Sequence, residues 1–533
     1  MLFYPYPRPT TAPTKRWVRI VSATGAAQLF VGFFALFSIL PATAQDADTP
    51  LALTMNEAVV RALDANLEIS IERLQPKMAE QRRNQALGAF DPLLEVGTTL
   101  ESIERPQNTR DFFATGRAVE IMEEDNMRIE GSLGGLLPTG TRYNVTIRSY
   151  KLKNSLNREA LARFYPEYTS SAMLTLSQPL LRGAGLKANL AESRIAGAEM
   201  RAAEQGLRGR IDQIATNVLD AYIESLYARE LVRVITDRIA LAEQLRAENE
   251  KRLQQGLMAP IDVMQAESTK ASAEIELIRA NSFLVETENR LRALIFSDFL
   301  AAADTRFALL DPLHEVTLAE SLPALRNLAL ERNAEYQVAL QRIAAEEQRV
   351  RYARNQFLPR VDLQASVGLN GLGENIGKSF SDYSERTSPD YSVGVVGSVP
   401  ITFAQERARL RESMLRLREA EYEVQRTVNR IYEQVHTAHT RVSSAMQRAT
   451  SAARAVAAAE SALEAEQKRL TNGLTTSFNV LRLQDELAQA RVNRLESVAE
   501  GQKALAILWG VAGILFERYE ITLVEAPGAA RRT

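Results

Sequence analysis

Arg252-Leu253-Gln254-Gln255-Gly256-Leu257 returns as Arg469-Leu470-Thr471-Asn472-Gly473-Leu474, 217 residues further on, and this duplication decides the architecture. Each copy closes a long stretch free of proline, since none lies between Pro179 and Pro260 or between Pro400 and Pro527. Such stretches leave room for uninterrupted helices, which the sequence predicts at about 187–254 and 404–470. At 1.5 Å per residue each is ~100 Å long, roughly three times the thickness of a bilayer core. Ile211, Ile214, Val218, Tyr222 and Leu226 recur at helical spacing with charged residues between them, so these helices bury a narrow stripe as coiled coils do. Gly256 and Gly473 stand where the chain must reverse, and each suits the left-handed residue that ends a helix.

The repeat extends outward from the tips. Asn66-Leu67-Glu68 and Phe90-Asp91-Pro92 match Asn333-Ala334-Glu335 and Phe357-Leu358-Pro359 at an offset of 267, whereas Ser177-Gln178-Pro179-Leu180 matches Ser398-Val399-Pro400-Ile401 at 221. The difference, 267 less 221, is an insertion of 46 residues between the strands of the first half. Shorter helices are predicted at 55–88 with 260–296, and at 319–356 with 476–509; stacked end to end, each pair equals one long helix. Val361-Asp362-Leu363-Gln364-Ala365-Ser366-Val367-Gly368-Leu369 alternates with period two, as do the segments around Leu94, Val145 and Leu174. Segments of ~10 alternating residues are the mark of a transmembrane barrel, although a soluble sheet packed on a helix alternates in the same way. Four such strands per chain are too few to close a barrel with a bore, because ~8 only fill with side chains. Several chains must then contribute. The inserted region 104–170 holds the turn Pro138-Thr139-Gly140 between two alternating runs; it either adds strands or lengthens an exterior loop.

The 533 residues are 46% hydrophobic and 24% charged with no cysteine, the make-up of a folded protein. Without cysteine there is no disulfide, thiolate metal site, cysteine nucleophile or lipid-bearing cysteine. Lys and Arg number 64 against 66 Asp and Glu, so no basic excess points to nucleic acid. Arg8, Lys15, Arg16 and Arg19, the apolar run from Ala26 to Leu40 and the small residues Ala42-Thr43-Ala44 read as a secretory signal peptide over 1–44. No later apolar run approaches the ~20 residues of a spanning helix, so any membrane crossing must be a closed β-barrel. His436 and His439 beside Glu433 could offer two imidazoles to a metal, but no third ligand is evident and they read as an ordinary helix surface. His314 stands alone, and no nucleophile elbow, phosphate loop or dinucleotide fingerprint is present. Neither a catalytic constellation nor a cofactor or metal site is expected; the chain is not expected to be an enzyme.

Taken together, the twofold repeat, Phe90-Asp91-Pro92, Phe357-Leu358-Pro359, the run Ser177 to Gly183, and Arg252-Leu253-x-x-Gly256-Leu257 followed by Asp262-Val263 resemble the TolC-like outer-membrane efflux proteins. The resemblance covers nearly all of the mature chain. It implies a mainly α fold with a β-barrel portion, in which a homotrimer shares one barrel in the outer-membrane lipid, continuous with a helical tunnel through the periplasm. It also implies a passive exit duct of a tripartite efflux or type I secretion system, with a periplasmic adaptor and an inner-membrane pump as partners. Arg252, Leu253, Gly256, Leu257, Arg469, Leu470, Gly473 and Leu474 are then the candidate adaptor-docking tips, and Asp262, Asn479 and Arg482 the candidate pore aperture. Asp262 keeps the family's acid six positions after the tip glycine, while Asn479 stands at that place in the second half. Arg482 replaces a second acid of the best-known member, and Leu470 and Thr475 replace its latch partners, so that member's closing mechanism and cation preference do not carry over. Asp262 reads equally as a helix N-terminal acid just after Pro260. The expected organisation is a signal peptide at 1–44, a first repeat at 45–297 (strands within 93–178, helical hairpin 187–296), a linker at 298–318, a second repeat at 319–510 (strands within 361–399, helical hairpin 404–509) and a tail at 511–533. The alternative is a soluble periplasmic or secreted coiled-coil interaction protein.

Overall fold

The computed structural model describes residues 50–521, except 117, 156–161, 257 and 386–387. The segment read from sequence as a signal peptide, Leu257 and the end of the tail lie outside the described residues. In chain order the elements are β1 (Leu51–Leu53), α1 (Met55–Ala65), α2 (Leu67–Glu72), α3 (Leu74–Leu87), β2 (Leu93–Pro106), α4 (Thr109–Thr115), β3 (Ile121–Leu136), β4 (Arg142–Leu152), β5 (Glu167–Pro179), α5 (Leu186–Asn189), α6 (Ala191–Gln254) and α7 (Pro260–Ile295). The second half follows with β6 (Phe307–Leu309), α8 (Leu322–Arg332), α9 (Ala334–Gln356), β7 (Arg360–Gly373), α10 (Ile376–Glu385), β8 (Pro389–Ser398), α11 (Ala404–Thr471), α12 (Ser477–Ala512) and α13 (Leu515–Arg518).

The two long helices, α6 of 64 residues and α11 of 68, run ~100 Å. Beside them lie stacked short helices. Near the sheet the order across the layer is α3, α6, α9, α11; near the far end α7 packs on α6, α6 on α12 and α12 on α11. The predicted segments 55–88 and 319–356 are each interrupted, at Asn66 and at Asn333. Each asparagine does two jobs. Asn66 Oδ1 accepts from the backbone of Glu68 (2.9 Å) and Ile69 (3.3 Å), while Nδ2 donates to the Leu294 carbonyl at the end of α7 (3.0 Å). Asn333 repeats this, capping α9 at Glu335 (2.9 Å) and Tyr336 (3.3 Å) and donating to Val511 O at the end of α12 (3.2 Å). One amide therefore satisfies the starting N–H groups of one helix and an orphan carbonyl of the next. The glutamate two residues on fixes the stack sideways: Glu68 pairs with Arg210 of α6 (2.6 Å) and Glu335 with Arg430 of α11 (2.7 Å).

At mid-length β1 and β6 pair in parallel over a core of Leu53, Ile69, Leu219, Tyr222, Ile223 and Leu291. The buried Tyr222 hydroxyl donates to Leu53 O (2.7 Å) and lies 2.8 Å from Asp311 Oδ2, which also accepts from Met55 N–H (2.7 Å). Burial with this partner pushes the Tyr222 phenol far up, so it stays a donor at any physiological pH.

The sheet at the other end is antiparallel with order β2-β3-β4-β5-β7-β8. Six strands form it, rather than the four anticipated from alternation, and the insertion contributes β3 and β4. The pairing puts Leu94, Leu133, Val145, Leu174, Val367 and Tyr391 side by side in one row, apolar from edge to edge. The adjacent row on the opposite face starts with Leu93 at the β2 edge and continues with Gly134, Asn144, Thr175, Ser366 and Ser392. At the end away from the helices, α10 lies on the sheet where Gly371 and Gly373 leave no room for a Cβ beside Ser379, whose Oγ is 2.6 Å from Ser170 Oγ. Among the described residues no helix is long and apolar enough to cross a membrane.

Replacing Asn66 with Ala removes a cap and orphans a carbonyl, so stability should fall by about 1–3 kcal/mol, with faster amide exchange confined to residues near 62–72 and the end of α7. Asn66→Asp keeps the cap and loses the donor, and should fall between wild type and Asn66→Ala. Asp212 on α6 is a second test, because burial raises its carboxyl from 3.8 to about 6 against the opposing pull of Arg208. A raised carboxyl opposes folding when ionised: the cost is full above pH 6 and disappears as pH falls through 6 toward 3.8. Asp212→Asn should therefore stabilise the protein at pH 8, by up to about 3 kcal/mol, and make no difference near pH 4, as read by denaturant melts.

Candidate functional site

The ends of the two helical hairpins form the candidate site. At the second tip α11 stops in a left-handed turn: Gly473 has φ +71°, its N–H donates to Leu470 O (3.1 Å), and Leu474 N–H donates to Arg469 O (2.9 Å). This is the paired closure that spends two orphan carbonyls at a helix end. The first tip follows the same plan, with Gly256 at φ +72° and its N–H donating to Leu253 O (2.9 Å). Either glycine would be strained by a side chain through φ alone, for neither has a neighbour within reach of an added Cβ.

The two tips are held together within one chain. Arg252 Nη1 donates to the Leu470 carbonyl (3.4 Å), and Ser477 Oγ at the start of α12 donates to Asp262 Oδ1 (3.1 Å). Asn249, fully buried, donates to the Asp262 backbone carbonyl (3.3 Å). Asp262 thus occupies the first turn of α7, with its carboxylate on the neighbouring hairpin. Asn479 Nδ2 donates to Thr475 Oγ1 (3.1 Å), and Thr475 in turn donates to Glu466, which also pairs with Arg469 (3.0 Å). Arg482 is exposed and pairs one turn on with Glu486 (2.8 Å). Below the tips a small core of Leu245, Leu463, Leu470, Val480, Leu481 and Leu487 locks the four helices. Farther up the first hairpin, Arg246 and Lys270 together hold the Glu243 carboxyl down to about 2, pinning α6 to α7 by charge.

Of the sequence-predicted tip residues, Leu470 is therefore core, Arg252 and Arg469 are structural ties, and Leu474 is exposed at 67%. Leu257 lies outside the described residues. Sequence reasoning missed Ile261, Met264 and Phe478, large apolar side chains more than half exposed in the first turns of α7 and α12. Their signal was available in the spacing of three between Ile261 and Met264 just after a reversal, where an isolated hairpin has no reason to expose carbon. Among the described residues no group of three or more His, Asp or Glu side chains could hold a metal ion; His436 and His439 belong to the surface of α11.

The model of the outer membrane efflux protein family matches residues 146–295 and 325–513, one match in each repeat. The alkaline protease secretion protein AprF of Pseudomonas aeruginosa is 27% identical over 244 residues, 45% of this chain and 47% of that protein, so the match spans about half of this curated relative. The outer membrane protein VceC of Vibrio cholerae has the same fold, with a TM-score of 0.61 at 19% identity over 86% of this chain and 96% of that one. The CmeC outer membrane channel of Campylobacter jejuni superposes with a TM-score of 0.63 at 14% identity, covering 86% of both chains. With both repeats matched, the chain belongs to the outer membrane efflux protein family, whose members are outer-membrane channels reaching into the periplasm.

Proposed function

We propose that three copies of this chain join their sheets into one closed barrel in the outer membrane and their helices into one periplasmic tunnel. The assembly is a passive exit duct: an inner-membrane pump supplies the driving energy and a periplasmic adaptor joins the two. The observation that carries this reading is the one-sided apolar sheet. Val96, Leu100, Tyr391 and Val393 are all 77–78% exposed, yet they share a face with the apolar row across all six strands. In water such a patch is a liability, whereas in lipid it is the outer wall of a barrel. Over β7 the apolar positions Val361 to Leu369 rise ~20 Å at a tilt of ~40°, close to the ~25 Å apolar band of an outer-membrane barrel. A soluble coiled-coil protein would leave this face wet. The likeness to a protease secretion protein supports a polypeptide among the cargo.

The tips are the end that faces the adaptor, with Leu474, Phe478, Ile261 and Met264 as exposed apolar contacts around the paired glycines. Asp262, Asn479 and Arg482 line the same end as the aperture candidates. The chain performs no chemistry; its work is to keep a wet path open through lipid and periplasm.

Gly473→Pro forces φ toward −65° where the tip has +71°. Export should drop by about tenfold or more while the amount of protein in the outer membrane stays unchanged. Undiminished export would remove the tips from the docking role. Recovery of the wild-type protein wholly in a soluble periplasmic fraction would overturn the channel itself.

A further inference from the structure

Resting on the three-copy assembly above, we propose that the closed wall has eighteen strands, and that the hairpin β3–β4 is part of that wall. The count follows from one sheet of six strands per chain, with β2 and β8 at its edges. Three such sheets give 3 × 6 = 18; without the inserted hairpin they would give 3 × 4 = 12.

The hairpin enters the sheet between β2 and β5, at a place where no helix descends from it.

Two features put β3 and β4 in the wall itself, not in an appended loop. Their side chains carry both faces onward: Leu133 and Val145 sit in the apolar row, while Glu130 and Arg148 pair on the polar face (2.8 Å). The foot of the hairpin is also built into the elbow between β5 and α6. Gly185 N–H donates to Thr139 O (2.9 Å), and Thr141 Oγ1 donates to Gln178. Gly140, at φ +93°, is so close to Gly183 O, Asn189 and Pro179 that no Cβ fits. Asn189 Nδ2 closes the elbow from below by donating to Gly183 O (2.8 Å).

An eighteen-strand wall is ~36 Å across between backbones, against ~24 Å for twelve. A hydrated polypeptide carrying secondary structure, ~10–12 Å across for a helix, clears such a wall freely once past the tips.

Electron cryomicroscopy of the full-length assembly in lipid nanodiscs tests this directly. Three copies with eighteen strands are expected. Three copies with twelve strands and the hairpin outside the wall would overturn the inference while leaving the assembly standing; two copies would overturn the assembly. Because the chain has no cysteine, single substitutions give an independent test in intact membranes. Thr146→Cys should react with a membrane-impermeant maleimide and Val145→Cys should not, reacting instead with a lipid-phase probe. Equal aqueous labelling of both would remove β4 from the wall.

Discussion

Two helices that meet end to end leave unsatisfied carbonyls on one side of the joint and unsatisfied N–H groups on the other, and the stacked columns beside the two long helices depend on closing that joint. Asn66 and Asn333 close it with a single side-chain amide each. Without the joint, α7 and the α2–α3 segment would be separate short pieces with no fixed relation, each too short to run beside α6. With it they form a rod that matches the long helix in length, and the Glu68–Arg210 and Glu335–Arg430 pairs set its rotation. Both ion pairs are partly exposed, so their worth is alignment more than stability.

Alignment at mid-length is what allows the two ends to be so different. The sheet end presents carbon outward on one face and hydroxyls, amides and charges on the other, a division suited to lipid and water. The tip end presents two tight reversals tied to each other through Arg252, Leu470, Asp262 and Ser477. Between them the helices pack through small residues: Gly209 lies so near Ala334 that an added Cβ would crowd it at 3.0 Å. Close approach of this kind brings α6 and α9 together beside the joint.

Much of this was legible in the sequence, because its devices are local and duplicated. Gly256, Gly473 and the absence of proline announced the hairpins, and the matching offsets of Asn66 and Phe90 announced two halves. The asparagines were seen as markers of the repeat, but their joining role depends on Leu294 and Val511, more than 170 residues away. The strand count was missed for a physical reason. In β3 the run Glu123-Glu124-Asp125-Asn126 and the glycines at 131, 134 and 135 erase the alternation, the first by clustered charge and the second by missing side chains. In β8 two glycines and an opening proline weaken a pattern that Tyr391, Val393 and Val395 do carry. At the tips, sequence spacing identified the reversals but could not separate Leu470, which is core, from Leu474, which is exposed.

The open edges of the sheet bear on how such a chain comes to maturity. β2 and β8 each offer a row of unshared peptide groups beside bare aliphatic surface, and no rearrangement within one chain brings them together while the four intervening strands hold their register. On the proposed three-copy assembly, a copy that has not yet met its siblings is sticky, and maturation becomes a race between self-association of the right kind and precipitation. Escort by a holdase, and a rate that climbs with the local density of newly made chains, are the natural companions of the proposed wall, which takes more than one polypeptide to complete.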